Sequence, residues 1–316
     1  MSCAAPVAVP TAEVLAPTAP TAWETAVSWM TVGVGVVVPL VGLVAAAVLA
    51  WGYGLFGWAD LGLLLGMYLA VMLGVTVGFH RLFTHRSFEA AGPVQFVLGV
   101  LGSMAFQGRM LEWVGRHRLH HQHSDHDGDP HSPHAPHRSG FWGRVRAFWH
   151  AHVGWALAVD PPRLDRYAPD LRKSRMLRVV SDLFHLWAVL GLLIPAGIGY
   201  ALGGWAGALT GFLWGGLVRV LLGHHVTWSV NSVCHLWGSR PLESGDQSRN
   251  NALVGVLGLG EGWHNNHHAF PTSARHGLRW WQIDISYYLI RLLAVTGLAW
   301  NIRLPAAAGG RSPRVK

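Results

Sequence analysis

Cysteine, lysine and charge are all scarce in this chain of 316 residues, and each shortage removes a class of protein. Two cysteines, Cys3 and Cys234, are too few for a disulfide framework, a four-thiolate zinc site or an iron–sulfur cluster. Only 13% of residues are charged, against roughly 25% in an ordinary soluble globule. With 51% hydrophobic residues and a mean hydropathy of +0.29, a cytosolic globule is excluded. No Lys or Arg precedes Arg81, and lysine occurs only at Lys173 and Lys316, beside 22 arginines. There is no HExxH, no phosphate-binding Gly-rich loop and no repeat of 20–50 residues. A GxG, Gly33-Val34-Gly35, sits inside an apolar run, where it serves packing.

Long apolar runs are what the sequence has instead. Thr31–Ala50 and Leu61–Phe79 are uncharged over about 20 residues, enough to cross about 30 Å of hydrocarbon. The pattern predicts an all-α integral membrane protein with four transmembrane helices, at about 30–55, 61–79, 179–202 and 205–226. Val94–Phe106 is too short to span and reads as an interfacial or re-entrant helix. Ile285–Trp300, with Arg291 inside it, reads as a helix lying on the bilayer or the cap. Residues 80–178 and 231–304 then form a polar helical cap, within a single domain over 23–304. Segments 1–22 and 305–316 are expected to be disordered. The opening MSCAAPVAVP lacks the basic region of a cleaved signal peptide.

The net charge of +8 suggests nucleic acid, but its distribution points elsewhere. The basic residues fall into blocks separated by apolar segments, as on one side of a membrane under the positive-inside rule. Four crossings place both blocks and both termini in the cytoplasm. The arginine bias, with abundant Ala and Gly, is that of a GC-rich bacterial genome, so the expected location is the inner membrane.

Twenty histidines demand a chemical reason. Three clusters stand out: HRLFTH (His80, His85), HRLHH (His117, His120, His121) and HNNHH (His264, His267, His268). The last two share an i, i+3, i+4 spacing, which on a helix keeps three imidazoles within about 100° of arc. His80 and His85, five apart, lie about 140° apart on a regular helix, so either they serve different metals or the helix breaks between them. Eight imidazoles exceed the needs of one ion, and imidazole suits iron, copper or zinc. A carboxylate-bridged di-iron site needs two Glu-x-x-His pairs, and only Glu261–His264 is present. His123, His126, His131, His134 and His137 sit among Asp, Ser and Pro and read as solvated groups or supports for the ligands. His150, His152, His185, His224, His225 and His276 have no informative spacing.

The run GFHRLFTHRSF, then RHRLHHQHSDHDGDPH, HVGW at His152–Trp155, NSVCHLWGSRP and GEGWHNNHHAFP resembles membrane fatty acyl desaturases, in order and spacing, over Leu61–Trp300. The likeness is greatest to the acyl-CoA delta-9 type. That resemblance implies four membrane helices under a cytosolic cap that carries a histidine-ligated di-metal site. It further implies a di-iron centre with His235 as ninth ligand and Asn231 in contact through a water. The implied reaction removes two hydrogens from adjacent methylenes, with O2 as co-substrate and two external electrons. The chain has no haem domain, iron–sulfur motif or dinucleotide fingerprint, so a ferredoxin, rubredoxin or cytochrome b5-like donor with its reductase is expected.

The family's eukaryotic acyl-CoA members carry Arg-Asp just before the second box, where this chain has Gly115-Arg116. Acyl-CoA therefore remains the first carrier, with phospholipid or acyl-carrier protein behind it. Arg116, Arg172 and Lys173, with Arg144, Arg146 and Arg175 around them, are candidates for a phosphate-binding rim or for ordinary topology signals. Trp228 is a further candidate substrate contact. Stepping back by helical turns from His80 gives Thr76, Met72 and Tyr68, so Tyr68 or Met72 is expected to close an acyl tunnel. The rival readings are a membrane hydroxylase or alkane monooxygenase, and a histidine-rich metal transporter. A transporter's ligands should line the bilayer midplane, whereas the eight boxed histidines lie beyond the span ends.

Overall fold

A computed structural model of the chain describes residues 22–134, 140–157 and 164–305. The expected disordered ends thus lie outside the described residues, apart from Ala22 and Pro305. Eleven helices are described: α1 (Ala22–Tyr53), α2 (Trp58–Leu73), α3 (Gly92–Ser103), α4 (Met110–His123), α5 (Gly140–His152), α6 (Arg175–Asp182), α7 (Phe184–Gly211), α8 (Arg219–Leu236), α9 (Ala252–Leu257), α10 (His264–Ala269) and α11 (Ile285–Val295). Short 3₁₀ turns lie between α5 and α6, and two wide π-helical stretches, Gly74–Thr84 and Phe212–Val218, extend α2 and join α7 to α8.

Three continuous stretches are long and apolar enough to cross a membrane: Gly33–Tyr53, Trp58–Thr84 and Phe184–Leu236. The third runs for 53 residues but leaves helical geometry at Gly203 and Gly204, where Gly204 has φ 60°. Only glycine takes that conformation at little cost. Past this point Gly207 lies against Gly199, Gly211 against Pro195, and Gly216 against Leu192. The two limbs therefore run antiparallel from the Gly203-Gly204 reversal that the sequence suggested.

The expected boundaries need three corrections. The third limb starts at Phe184, because Val179 belongs to α6, a separate helix that ends at Asp182. The second and fourth limbs overrun their expected ends, to Thr84 and Leu236. His80, Asn231 and His235 thus stand on prolongations of the long helices, inside what was expected to be cap. Ile285–Trp300 divides into α11 and the strand Ala299–Trp300, which pairs antiparallel with Glu89–Ala90. Ile290 of α11 is fully buried in the main core with Phe88 and Ala299, while Tyr288, Leu292 and Val295 face outward.

Outward-facing apolar side chains also line α1 (Val34, Val37, Val41, Val44) and α7 (Leu186, Val189, Leu193). Apolar surface on this scale needs a non-aqueous neighbour. Two arginines, Arg81 and Arg219, lie within these limbs. Arg219 is 1% exposed and donates to the carbonyls of Met104 and Gly191, both at 2.7 Å, and of Gly215 at 3.2 Å. Carbonyl oxygens thus satisfy the guanidinium where water is excluded.

Helix α3 packs on the wide stretch of α2 through glycine. A Cβ on Gly74 would come 2.2 Å from the amide nitrogen of Gly102 and 2.5 Å from the carbonyl carbon of Leu101. Gly62, also on α2, has nothing within 4 Å. Gly74→Ala should therefore destabilise by about 1–3 kcal/mol through overpacking, read as a lower thermal midpoint in detergent. Gly62→Ala should match or exceed the parent.

Candidate metal centre

The wide π-helical turn decides where the first two histidines point. The His85 amide donates to the His80 carbonyl at 3.1 Å, an i→i+5 bond. Residue i+5 then stacks one turn above residue i, instead of rotating away as on a regular helix. The rings of His80 and His85 lie 4.8 Å apart. They share one cluster, and the expected break between them is replaced by a widening.

The i, i+3, i+4 triplets divide in a regular way. His117 and His121, one turn apart, join His80, His85 and His267, and the five present one nitrogen each within 4.8 Å of one another. His264 and His268, also one turn apart, join His120 and His235 in a second group of four. In each triplet the i+3 residue, His120 or His267, crosses to the opposite group. On a helix i and i+4 differ by about 40°, whereas i+3 falls about 60° to the other side. All nine histidines singled out from the sequence are accounted for, five in one group and four in the other.

Within the groups Nε2 faces Nε2. The separations are 3.2 Å for His80–His267, 3.0 Å for His267–His121, 3.1 Å for His121–His117 and 3.0 Å for His235–His264. Two nitrogens bound at right angles to one ion, at bond lengths of about 2.1 Å, would stand about 3 Å apart. Nε2 of His85 and of His268 is buried without a hydrogen-bond partner.

Carboxylates hold the outer edges of four rings. Nδ1 of His80 meets Glu261 at 2.5 Å, His120 meets Asp129 at 3.0 Å, His235 meets Asp125 at 2.8 Å, and His268 meets Asp246. A proton on Nδ1 leaves the Nε2 lone pair facing inward, the arrangement of metal-binding imidazoles. Burial and neighbouring imidazoles hold His117, His121, His264 and His267 well below the usual histidine range, which favours the neutral ring that a metal requires. Burial pushes the Asp125 carboxyl up, but the hydrogen bonds from His235 and the Gln247 amide hold it down to about 2. The residues fit two metal ions.

Glu261 was visible in the sequence through its pairing with His264, whereas the three aspartates were not. Asp125 and Asp129 lie in the HSDHDGDPH loop, whose histidines were read as solvated or supporting. His131 there is 4% exposed, and its amide donates to Asp129 at 3.1 Å. His134 Nε2 pairs with the carbonyl of His235 at 2.8 Å, while His126 is exposed and His137 lies outside the described residues. A shorter signal was available: an Asp four, five or nine residues past a ligand histidine on the same loop. His276, unassigned from sequence, is buried and accepts from Arg81 at 3.1 Å, and Arg81 also donates to Glu261 and Asp284.

A cavity opens beside both groups. It is lined by His80, His117, His264, Asn231 and Glu261, and by the mainly apolar set Met72, Val75, Thr76, Trp113, Val226, Thr227 and Val230. Met72 is among the lining residues, and Tyr68 packs against Met72 and donates its hydroxyl to the Leu257 carbonyl at 2.6 Å. Trp228 stacks on His224, 4.9 Å between rings, and is not among these lining residues. Of the cationic candidates, Arg172 is paired with Asp165 at 3.1 Å, Arg116 lies over the Trp155 ring at 5.2 Å, and Lys173, Arg144, Arg146 and Arg175 are exposed.

Comparison with known proteins gives this arrangement a family. The family model described as fatty acid desaturase matches residues 56–301. The chain belongs to the fatty acid desaturase family. It is 43% identical over 273 residues to a hex-5-enoyl-[acyl-carrier protein] acetylenase of Moorena producens (strain JHB), covering 86% of this chain and 85% of that protein. It is 38% identical over 267 residues to an sn-1 stearoyl-lipid 9-desaturase of Anabaena variabilis, covering 83% and 91%. It is also 38% identical to an icosanoyl-CoA 5-desaturase of Limnanthes douglasii, covering 80% and 67%. The chain is thus an oxidoreductase of lipid metabolism from a membrane-bound family, with histidine clusters able to bind metal.

Replacing a ring that closes a group should release metal. His120→Ala and His267→Ala, purified beside the parent, should each lose bound metal by elemental analysis. Asp246→Asn keeps the ring but weakens its anchor, and metal affinity should fall by about 10–100-fold. Full metal content in all three would remove these residues from the centre.

Proposed function

We propose that this chain introduces a cis double bond, at the Δ9 position, into a saturated fatty acyl chain. The observation that carries this reading is the apolar cavity reached by ligands of both groups at once, within a fatty acid desaturase. His80, His85, His117, His121 and His267 would hold one iron, and His120, His235, His264 and His268 the other, with Asn231 contributing through a water. An iron pair supplies O2 activation strong enough to take hydrogen from unactivated methylenes, which offer no polar handle for acid–base chemistry.

The protein's own part is geometric. Met72, Val75, Val226 and Val230 exclude water and hold one carbon pair beside the metals. Carboxylate-anchored imidazoles keep the ligand set fixed while the substrate turns over. Two electrons come from an external donor of the ferredoxin, rubredoxin or cytochrome b5-like type. The four apolar limbs cross the bacterial inner membrane, with both basic blocks, the termini and the centre on the cytoplasmic side.

The test is expression in a host lacking its own desaturase, with gas chromatography–mass spectrometry of total lipid and location of the double bond. Δ9 olefins are expected, and hydroxylated chains would reverse the choice in favour of a membrane hydroxylase. Met72→Ala should shift the products of a mixed C14–C20 pool toward longer chains. Tyr68→Ala should do so less, because Tyr68 closes the space behind Met72 and not the cavity itself.

Acyl-CoA is the carrier proposed from the sequence, with Arg116, Arg172 and Lys173 gripping its phosphates. A lipid-borne chain is the second reading, favoured by the ion pair that already engages Arg172 with Asp165. Reversing Arg172 and Lys173 to Glu should raise KM for stearoyl-CoA, more at low salt than at high salt. An unchanged KM, with turnover of stearoyl phospholipid in vesicles, would select the lipid.

A further inference from the structure

Taking external electrons to drive this centre, as proposed above, we infer that they enter through Trp155 and His131, delivered by an acidic one-electron carrier protein that docks where Arg116 covers Trp155. Six of the nine imidazoles are buried and His85, His117 and His121 are half-buried, so a carrier on the surface reaches most of the set only across intervening side chains. Electron tunnelling decays steeply with every gap, which favours rings in contact. Among the described ring contacts, two tryptophans lead away from the histidine groups. Trp113 stacks on His117 at 5.2 Å, but it lines the cavity and its indole N–H donates to Gln107 at 3.1 Å. That outlet belongs to the substrate.

The other outlet runs the opposite way. His131 lies 4.3 Å from His120, ring to ring, and Trp155 lies 5.7 Å from His131. Asp129 ties the inner step together, accepting from Nδ1 of His120 at 3.0 Å and from the His131 amide at 3.1 Å. Nδ1 of His131 and Nε1 of Trp155 are both buried without a hydrogen-bond partner. Nδ1 of His131 stands 3.6 Å from the Asp129 carboxylate, so His131 shares its anchor with His120, while the Trp155 ring is placed by packing. Neither lines the cavity, and neither belongs to the five or the four.

At the outer end the guanidinium of Arg116 sits 5.2 Å over the Trp155 ring, as a cation over a π-face. Exposed Arg144 and Arg146 lie on α5, whose end leads directly into the turn carrying Trp155. From Arg81 to Arg178 the chain has 14 basic and 8 acidic residues, and three of the acidic ones, Asp125, Asp129 and Asp170, are turned inward onto His235, His120 and Arg118. Arg116 over a half-buried ring, within a stretch of chain that is basic overall, complements an acidic carrier. Each docking oxidises the carrier by one electron and reduces one ferric ion. The rings only couple the two and are left unchanged. Two deliveries and two protons, with two hydrogens from adjacent carbons, convert one O2 into two waters and leave one C=C bond.

The test uses the full-length, iron-loaded protein in detergent, and follows reduction of the ferric centre by stopped-flow absorbance. The reductants are dithionite, which is small, and reduced plant-type ferredoxin, an acidic carrier. Trp155→Leu should slow reduction by ferredoxin about tenfold, while iron content and the dithionite rate stay within about twofold of the parent, and Trp155→Phe should recover most of the loss. The ferredoxin rate of the parent should fall steeply with salt. An unchanged ferredoxin rate in Trp155→Leu overturns the route, as does equal slowing with both reductants or loss of iron, which would make Trp155 structural. A parent reduced by dithionite but not by ferredoxin overturns the acidic carrier. A parent that binds no iron, or forms no olefin with either reductant, overturns the desaturase reading instead.

Discussion

Everything in the centre depends on fixing which nitrogen of each imidazole carries the proton. Nine neutral rings packed together could each present either edge, and a metal needs the lone-pair edge of all of them. Glu261, Asp129, Asp125 and Asp246 settle the matter for four rings by accepting from Nδ1. These carboxylates are themselves held: Asp125 by the Gln247 amide at 2.8 Å, Asp129 by the Asp125 amide at 2.9 Å, and Asp246 by the Ser248 amide at 3.0 Å. Short loops outside the helices thus orient rings that the helices only bring near.

The two groups differ in charge as a result. Three of the four rings in the smaller group carry an aspartate, whereas the five-ring group has one carboxylate, Glu261, shared with the guanidinium of Arg81. Arg81 is fully buried and also bound to Asp284 at 2.8 Å. The smaller group therefore offers a more negative surround to a cation than the larger one, and His120, the ring facing His131, lies within it. Burial alone works against protonating His120, yet Asp129, Asp125 and Asp246 raise it above the usual histidine range. The same aspartates that would stabilise a bound cation stabilise a proton in its place.

Much of this was legible in the sequence because histidine spacing on a helix is a direct statement about direction. The i, i+3, i+4 triplets announced two clusters, and their division between two groups follows from the 100° step per residue. His80 with His85 was misread as divergent because the step itself changes: the backbone widens over Gly74–Thr84, and nothing in hydropathy reports a widened turn. The resemblance located His235, whose place next to His264 depends on packing between α8 and α10. The aspartates were hidden by composition, since Asp among Ser, Gly and Pro looks like a solvated loop until the loop folds over a histidine cluster. Span ends were misplaced for a related reason. Helices that carry ligands must continue beyond the apolar run to reach them.

That continuation links the membrane-length helices to the chemistry. Thr76 and Met72 lie one and two turns below His80 on the same helix, and both line the cavity with it. Val226, Val230 and Asn231 follow one another up α8 toward His235. The cavity is therefore walled by two helices whose upper ends hold metal-binding side chains and whose lower parts are apolar. Thr76 closes its remaining polar edge on Ser286 at 2.7 Å, so no unpaired hydroxyl at that position faces the lining. On the proposed function, an acyl chain lying in this cavity would meet a mainly apolar wall and imidazoles from both groups. Depth in the cavity would then set which carbons stand beside His80, His117 and His264. Regioselectivity would become a matter of helix register, set by side chains such as Met72 two turns away from His80.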